Sequence, residues 1–170
     1  MNDKTKICVV GAGYWGINII RNIYQLGNLG SVVEINKDLH KNINQIAPNV
    51  RIIEDYDLAL KDNDIDGIMI ATPSIMHGKM VKKALEFKKN VFVEKPLCLE
   101  LKEGNEIAKI ADREKLKVMV GHLLLYHPAF LALKREISNS SIGNLRYIYS
   151  NRLSLGKLRR EEDVLWSFAP

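Results

Sequence analysis

The sequence predicts an α/β fold, a doubly wound parallel sheet followed by the start of an incomplete α+β second domain. Three observations predict it. Short apolar runs alternate with helix-period segments through residues 1–121. The runs are apolar throughout rather than apolar-polar in alternation, as strands buried on both faces require. The first run ends in Gly11-Ala12-Gly13-Tyr14-Trp15-Gly16 and passes straight into a helical pattern.

The elements follow in order. Lys6 to Val10 is the first strand. Ile19, Ile20, Ile23 and Leu26 then recur at helical spacing, and Gly27 closes that helix. Ser31 to Ile35 is the second strand, and Asp38 to Ala47 a helix stopped by Pro48. Val50 to Ile53 is the third strand, Asp57 to Lys61 a short helix, and Gly67 to Ala71 a buried fourth strand. His77 to Phe87 reads as helix, Asn90 to Val93 as strand, Leu99 to Lys115 as a long helix and Val118 to Val120 as strand. Beyond Gly121 the character changes. Pro128 to Ile137 reads as a helix, and Leu145 to Leu155 alternates like a strand exposed on one face. The expected division is therefore 1–121 and 122–170, the second part being too short to bury much apolar surface alone.

Composition narrows the partners. Apolar residues are 46% and charged residues 26% of 170, a folded rather than disordered balance. The net charge of +5 could mark a nucleic-acid binder, but Lys79, Lys82, Lys83, Lys88 and Lys89 are spread along helix-like segments with acids among them. That spacing describes a solvated surface, so no nucleic acid is expected, and the excess charge suits an anionic small molecule. Cys8 and Cys98 form no CxxC pair and no metal-spaced cluster. His40 reads as surface, and His122 and His127 lack further ligands, so no metal is expected. No apolar stretch approaches a membrane span and no leader precedes the first strand, which points to a cytoplasmic protein without a membrane partner.

The glycine motif carries the first chemistry. Gly11 permits a tight turn off the strand, Gly13 lets backbone approach a pyrophosphate, and Gly16 lets helix and strand pack closely. The helix N-terminus offers unpaired N–H groups and partial positive charge to phosphates. Such a motif alone is weak; directly after a strand and opening a helix it is the Rossmann dinucleotide fingerprint. Glu34 lies eighteen positions past Gly16, at the end of the second strand, where an acid accepts hydrogen bonds from ribose hydroxyls. An acid there repels a 2′-phosphate, so NAD is expected over NADP. Tyr14 and Trp15 are expected beside the cofactor turn, packing rather than reacting.

Read together, several motifs resemble the Gfo/Idh/MocA family of sugar and cyclitol oxidoreductases. They are Gly11 to Gly16, Ala71-Thr72-Pro73 with His77 beyond, Glu94-Lys95-Pro96, and Gly121-His122 followed by Tyr126 and Pro128. The tail, from Arg152 to Glu162 and from Leu165 to Pro170, is similar to the UDP-N-acetylglucosaminuronate 3-dehydrogenase branch, whose members oxidise a sugar C3 hydroxyl with NAD on the way to surface polysaccharides. The resemblance implies a nucleotide-sugar substrate and a homo-oligomer at full length.

It also implies roles. Lys95, at a strand end where ligands meet open parallel sheets, is the catalytic candidate, orienting the reacting hydroxyl or shuttling its proton while hydride leaves for the nicotinamide. Glu94 fixes Lys95 and the nicotinamide ribose, and Pro96 follows a cis peptide as in family members. Thr72 and Pro73 line the cofactor crevice. His77 either contacts the cofactor or sits early in its helix. His122 either faces the substrate or packs at the domain boundary. Lys157, Arg159 and Arg160 either bind the pyrophosphate and carboxylate of a UDP-uronate or belong to a solvated loop with Glu161, Glu162 and Asp163. In the branch resembled, the Ala-Pro pair is followed by His-Asp, the histidine being the lysine's acid–base partner; the chain stops at Pro170. The expectation is therefore a C-terminally truncated NAD-dependent sugar-nucleotide dehydrogenase, or a nicotinamide-binding fragment of one without activity.

Overall fold

A computed structural model describes residues 4–151 and Trp166. Six strands form one sheet: β1 (Ile7–Val10), β2 (Leu29–Val33), β3 (Arg51–Ile53), β4 (Gly67–Ile70), β5 (Asn90–Val93) and β6 (Val118–Val120). Their order is β3-β2-β1-β4-β5-β6, and every pairing is parallel. The connecting helices are α1 (Gly16–Gln25), α2 (His40–Ile46), α3 (Tyr56–Leu60), α4 (Ser74–Glu86) and α5 (Leu101–Glu114). This is the Rossmann-like α/β fold predicted, and its strand order reverses between β1 and β4.

Alternation along β1 shows why both faces are apolar. Cys8 and Val10 join a cluster with Met80, Val81, Ala84 and Leu85 of α4 and Ile107 of α5. Val9 points the other way, to Val32, Ile20 of α1 and Ile43 of α2. Burying one such aliphatic side chain stabilises by about 1.5–3 kcal/mol, so Ile20 and Ile43 fasten the first two helices. Burial also pushes the Cys8 thiol up to about 11, which leaves it a small hydrophobe.

Local chemistry sets the ends. The Asp55 carboxylate caps α3 by accepting from the Asp57 amide at 2.8 Å. Lys115, with φ of 56°, ends α5 in the left-handed region. Buried Lys89 donates to the carbonyls of Asp62 (2.7 Å) and Ile65 (2.6 Å), satisfying the loop before β4.

Two expectations change. Helix α4 begins at Ser74 rather than His77, with Pro73 at its N-cap. Its first turn hides little, since Ile75 and Met76 are exposed, so apolar periodicity starts only at buried His77. The strand expected over Leu145 to Leu155 is absent over 145–151, which carry no regular structure. No partner strand stands there among the described residues to accept a ladder. Positions 152–155 lie outside the described residues.

By contact density the chain divides into Met1–Gly121 and His122–Pro170. Within the second unit, a 3-10 turn at Leu123–Tyr126 leads to α6 (Pro128–Ser138). Pro128 sits in the first turn of α6, and His127 Nδ1 accepts from the Ala129 amide at 3.3 Å. No described residue of this unit is buried. Among the described residues no helix is long and apolar enough to cross a membrane.

Candidate functional site

Gly11 leaves β1 with φ of +90°, a conformation that side chains resist. A Cβ there would stand 2.8 Å from the Ala71 carbonyl oxygen and 3.3 Å from Thr72 Cγ2. The turns after β1 and β4 therefore touch at the point where the sheet reverses. A Cβ on Gly16 would run into the Gly11 carbonyl, so α1 packs directly on its own turn. At Gly13 a Cβ would meet nothing within 4 Å; this backbone faces open space. The turn thus combines closeness behind with openness in front, as a pyrophosphate needs at a helix N-terminus.

Glu34 follows β2 and is 8% exposed. Its Oε2 accepts from the Ala12 amide at 2.7 Å and its Oε1 from the Asn36 amide at 2.8 Å. The carboxylate is fixed against the glycine turn, and each oxygen keeps a lone pair for a further donor. That is the disposition a ribose-binding acid requires.

Trp15 and Glu94 join the glycine turn to the turn after β5. The indole N–H donates to Glu94 Oε1 at 2.6 Å. Gly121 gives the carboxylate room, since a Cβ there would lie 3.1 Å from both of its oxygens. Burial raises the Glu94 carboxyl above its ordinary range, and the Trp15 hydrogen bond, the Lys95 amide and the His77 and Lys95 charges oppose that shift. Tyr14, next to Trp15, is 92% exposed and packs on nothing, contrary to the packing expected of it. Lys95 follows Glu94, is partly buried, and is joined to Pro96 by a cis peptide, as the resemblance implied.

His77 also bridges two turns. Its Nε2 lies 2.8 Å from the Thr72 carbonyl oxygen and its Nδ1 2.7 Å from that of Pro96. The ring is 1% exposed. Both nitrogens are committed to backbone carbonyls, and the ring sits early in α4 as a strut between the two turns. Thr72 donates its hydroxyl to Met80 Sδ at 3.5 Å, and Pro73 caps α4.

The structure thus gathers Gly11, Gly13, Trp15, Glu34, Thr72, Pro73, Glu94 and Lys95 on segments that follow parallel strands, with Gly16 opening α1, all at the carboxyl end of the sheet. His122 opens the second unit. Lys157, Arg159 and Arg160 lie outside the described residues. Sequence reasoning missed the Trp15–Glu94 bond, the Ala12 and Asn36 amides on Glu34 and the Gly121 wall; no local pattern signals a contact between residues 79 apart. Among the described residues no three or more His, Cys, Asp or Glu side chains gather as a metal site.

Residues 5–122 match the model of an oxidoreductase family described as having an NAD-binding Rossmann fold, GFO_IDH_MocA. The chain is 31% identical over 150 residues to the scyllo-inositol 2-dehydrogenase (NAD(+)) of Bacillus subtilis, covering 86% of this chain and 44% of that protein. It is 27% identical to an NAD-binding protein from Listeria innocua, with a TM-score of 0.74 over 82% of this chain and 42% of that one. The scyllo-inositol dehydrogenase of Lactobacillus casei, solved with NAD(H) and scyllo-inositol, shares the fold at a TM-score of 0.75 and 23% identity, over 83% of this chain and 43% of that one. The chain therefore spans less than half the length of these relatives.

Proposed function

The chain belongs to the Gfo/Idh/MocA oxidoreductase family, with an NAD-binding Rossmann domain over its first unit, and we infer that it is the cofactor half of a dehydrogenase acting on a secondary ring hydroxyl of a sugar or cyclitol. One observation carries this reading. Lys95 and Glu94 share the carboxyl end of the sheet with the glycine turn and Glu34, so a basic group stands beside the place where a dinucleotide's reactive end would lie.

Each residue has a part in that reading. The N-terminus of α1 and the open backbone at Gly13 hold the pyrophosphate. Glu34 takes the adenosine ribose hydroxyls and excludes a 2′-phosphate, which makes NAD preferred over NADP. Thr72 and Pro73 wall the crevice, and Glu94, steadied by Trp15, meets the nicotinamide ribose. When bound, the nicotinamide accepts hydride from the carbon bearing the hydroxyl. Lys95 Nζ orients that hydroxyl and takes or relays its proton.

Two substrate classes remain in this reading. Named relatives act on inositols, which favours a neutral cyclitol. The tail's likeness to the UDP-N-acetylglucosaminuronate 3-dehydrogenase branch, with Lys157, Arg159 and Arg160, favours C3 of an anionic sugar nucleotide. A second reading is an NAD-binding chain without turnover of its own. The experiment offers NAD with scyllo-inositol, myo-inositol or UDP-N-acetylglucosaminuronate and follows the absorbance of reduced nicotinamide. Reduction with one substrate supports the dehydrogenase and selects its class. Saturable NADH binding without reduction supports the second reading, and failure to bind NADH removes both.

A further inference from the structure

His77 has a role that the proposed chemistry does not use. Two backbone carbonyls, of Thr72 at 2.8 Å and Pro96 at 2.7 Å, face its two ring nitrogens. A carbonyl oxygen only accepts. A neutral imidazole has one N–H and one bare nitrogen, so it would satisfy one carbonyl and set a lone pair against the other. At 1% exposure that mismatch would not be relieved by water. With a proton on each nitrogen, both contacts are charge-assisted hydrogen bonds.

We propose that His77 is a positioning residue: an imidazolium that clamps the turn carrying Thr72 to the turn carrying Lys95, and so sets the width of the nicotinamide end of the crevice. The role rests on reading that crevice as the cofactor site. Glu94, after β5, lies within electrostatic reach of His77, with Lys95 beside it. From α5, Glu103 packs over Gly78, the next residue of α4, and both Glu103 and Glu106 pair with Lys82. Strand β4 brings no charged side chain. The clamp reaches only the β4 and β5 turns; the glycine turn is held separately, by Glu34 at Ala12 and by Trp15 at Glu94.

Two measurements on this chain test the assignment. The first is nitrogen NMR of histidine-labelled protein at neutral pH, with the His77 signals identified by their loss in His77→Gln. Two protonated-type ring nitrogens, each coupled to a proton, are expected; one bare, strongly downfield nitrogen would overturn the assignment. The second compares NADH with AMP, which lacks the nicotinamide half. Gln presents its donors from a single nitrogen and cannot span both carbonyls. His77→Gln should raise the NADH dissociation constant about fivefold to tenfold, the scale of one lost buried hydrogen bond, and leave AMP binding unchanged. An unchanged NADH constant, or equal weakening of both ligands, would overturn the positioning role. Wild-type protein that bound no NADH would refute the cofactor reading and the clamp's role in it, while the NMR result would still decide the state of the ring.

Discussion

Glu34→Gln separates the structural from the selective work of one carboxylate. The side chain is 8% exposed, and each oxygen accepts one amide N–H, from Ala12 at 2.7 Å and Asn36 at 2.8 Å. Gln offers one acceptor and one donor, so one amide loses its partner. The orientation is decided by burial: Ala12 is 2% exposed whereas Asn36 is exposed. The amide oxygen therefore stays on Ala12, and water serves the Asn36 N–H. The expected cost sits near the low end for a lost buried hydrogen bond, about 1–2 kcal/mol, or a melting point lower by about 2–8 °C. Glu34→Ala strips both acceptors and should cost about 2–6 kcal/mol on the same scale. Calorimetry reads this part. Binding reads the other: without the negative charge the 2′-phosphate of NADPH is no longer repelled, so the NADPH-to-NADH affinity ratio should rise in both variants. A Glu34→Ala protein that melts with the wild type, or an unchanged ratio in both, would refute the reasoning.

Other consequences can be measured as directly. Gly16→Ala drives a Cβ into the Gly11 carbonyl and should abolish NADH binding at a cost of about 1–3 kcal/mol or more in stability, read by titration and denaturant unfolding. Lys89→Met leaves the Asp62 and Ile65 carbonyls without their donor and should cost about 1–3 kcal/mol, with NADH affinity unchanged. Trp15→Phe removes the hydrogen bond that favours ionised Glu94, so the Glu94 titration in carboxyl NMR should move further up. Because the folded Glu94 carboxyl titrates above its unfolded value, the folded state binds the proton more tightly, and this group's contribution to stability falls as pH rises from the ordinary carboxylate range through the raised one. Glu94→Gln should therefore flatten the stability profile across that window.

Much of the fold was legible because its signals are local. The apolar run before Gly11, the glycine turn and the helical spacing after it specify one βα unit, and four further strands repeat the logic. Glu34 could be singled out by its spacing from Gly16, because one helix and one strand, α1 and β2, fill the interval. The structure added what sequence spacing cannot hold. Trp15 meets Glu94 and His77 meets Pro96 because the sheet order sets β4 beside β1 and β5 beside β4. A histidine at a helix start looks the same in sequence whether it faces a ligand or two carbonyls. The 145–151 segment misled for the opposite reason: alternation records a half-buried strand only where a sheet exists to receive it.

The most direct test of the central claim is a titration of this chain with NADH and NADPH, followed by the fluorescence of Trp15, whose indole is bonded to Glu94 at the proposed nicotinamide end. Saturable binding of one NADH per chain is predicted, tighter than NADPH, with a tryptophan change that disappears in Trp15→Phe. Absence of NADH binding, or a preference for NADPH while Glu34 is intact, would contradict the account.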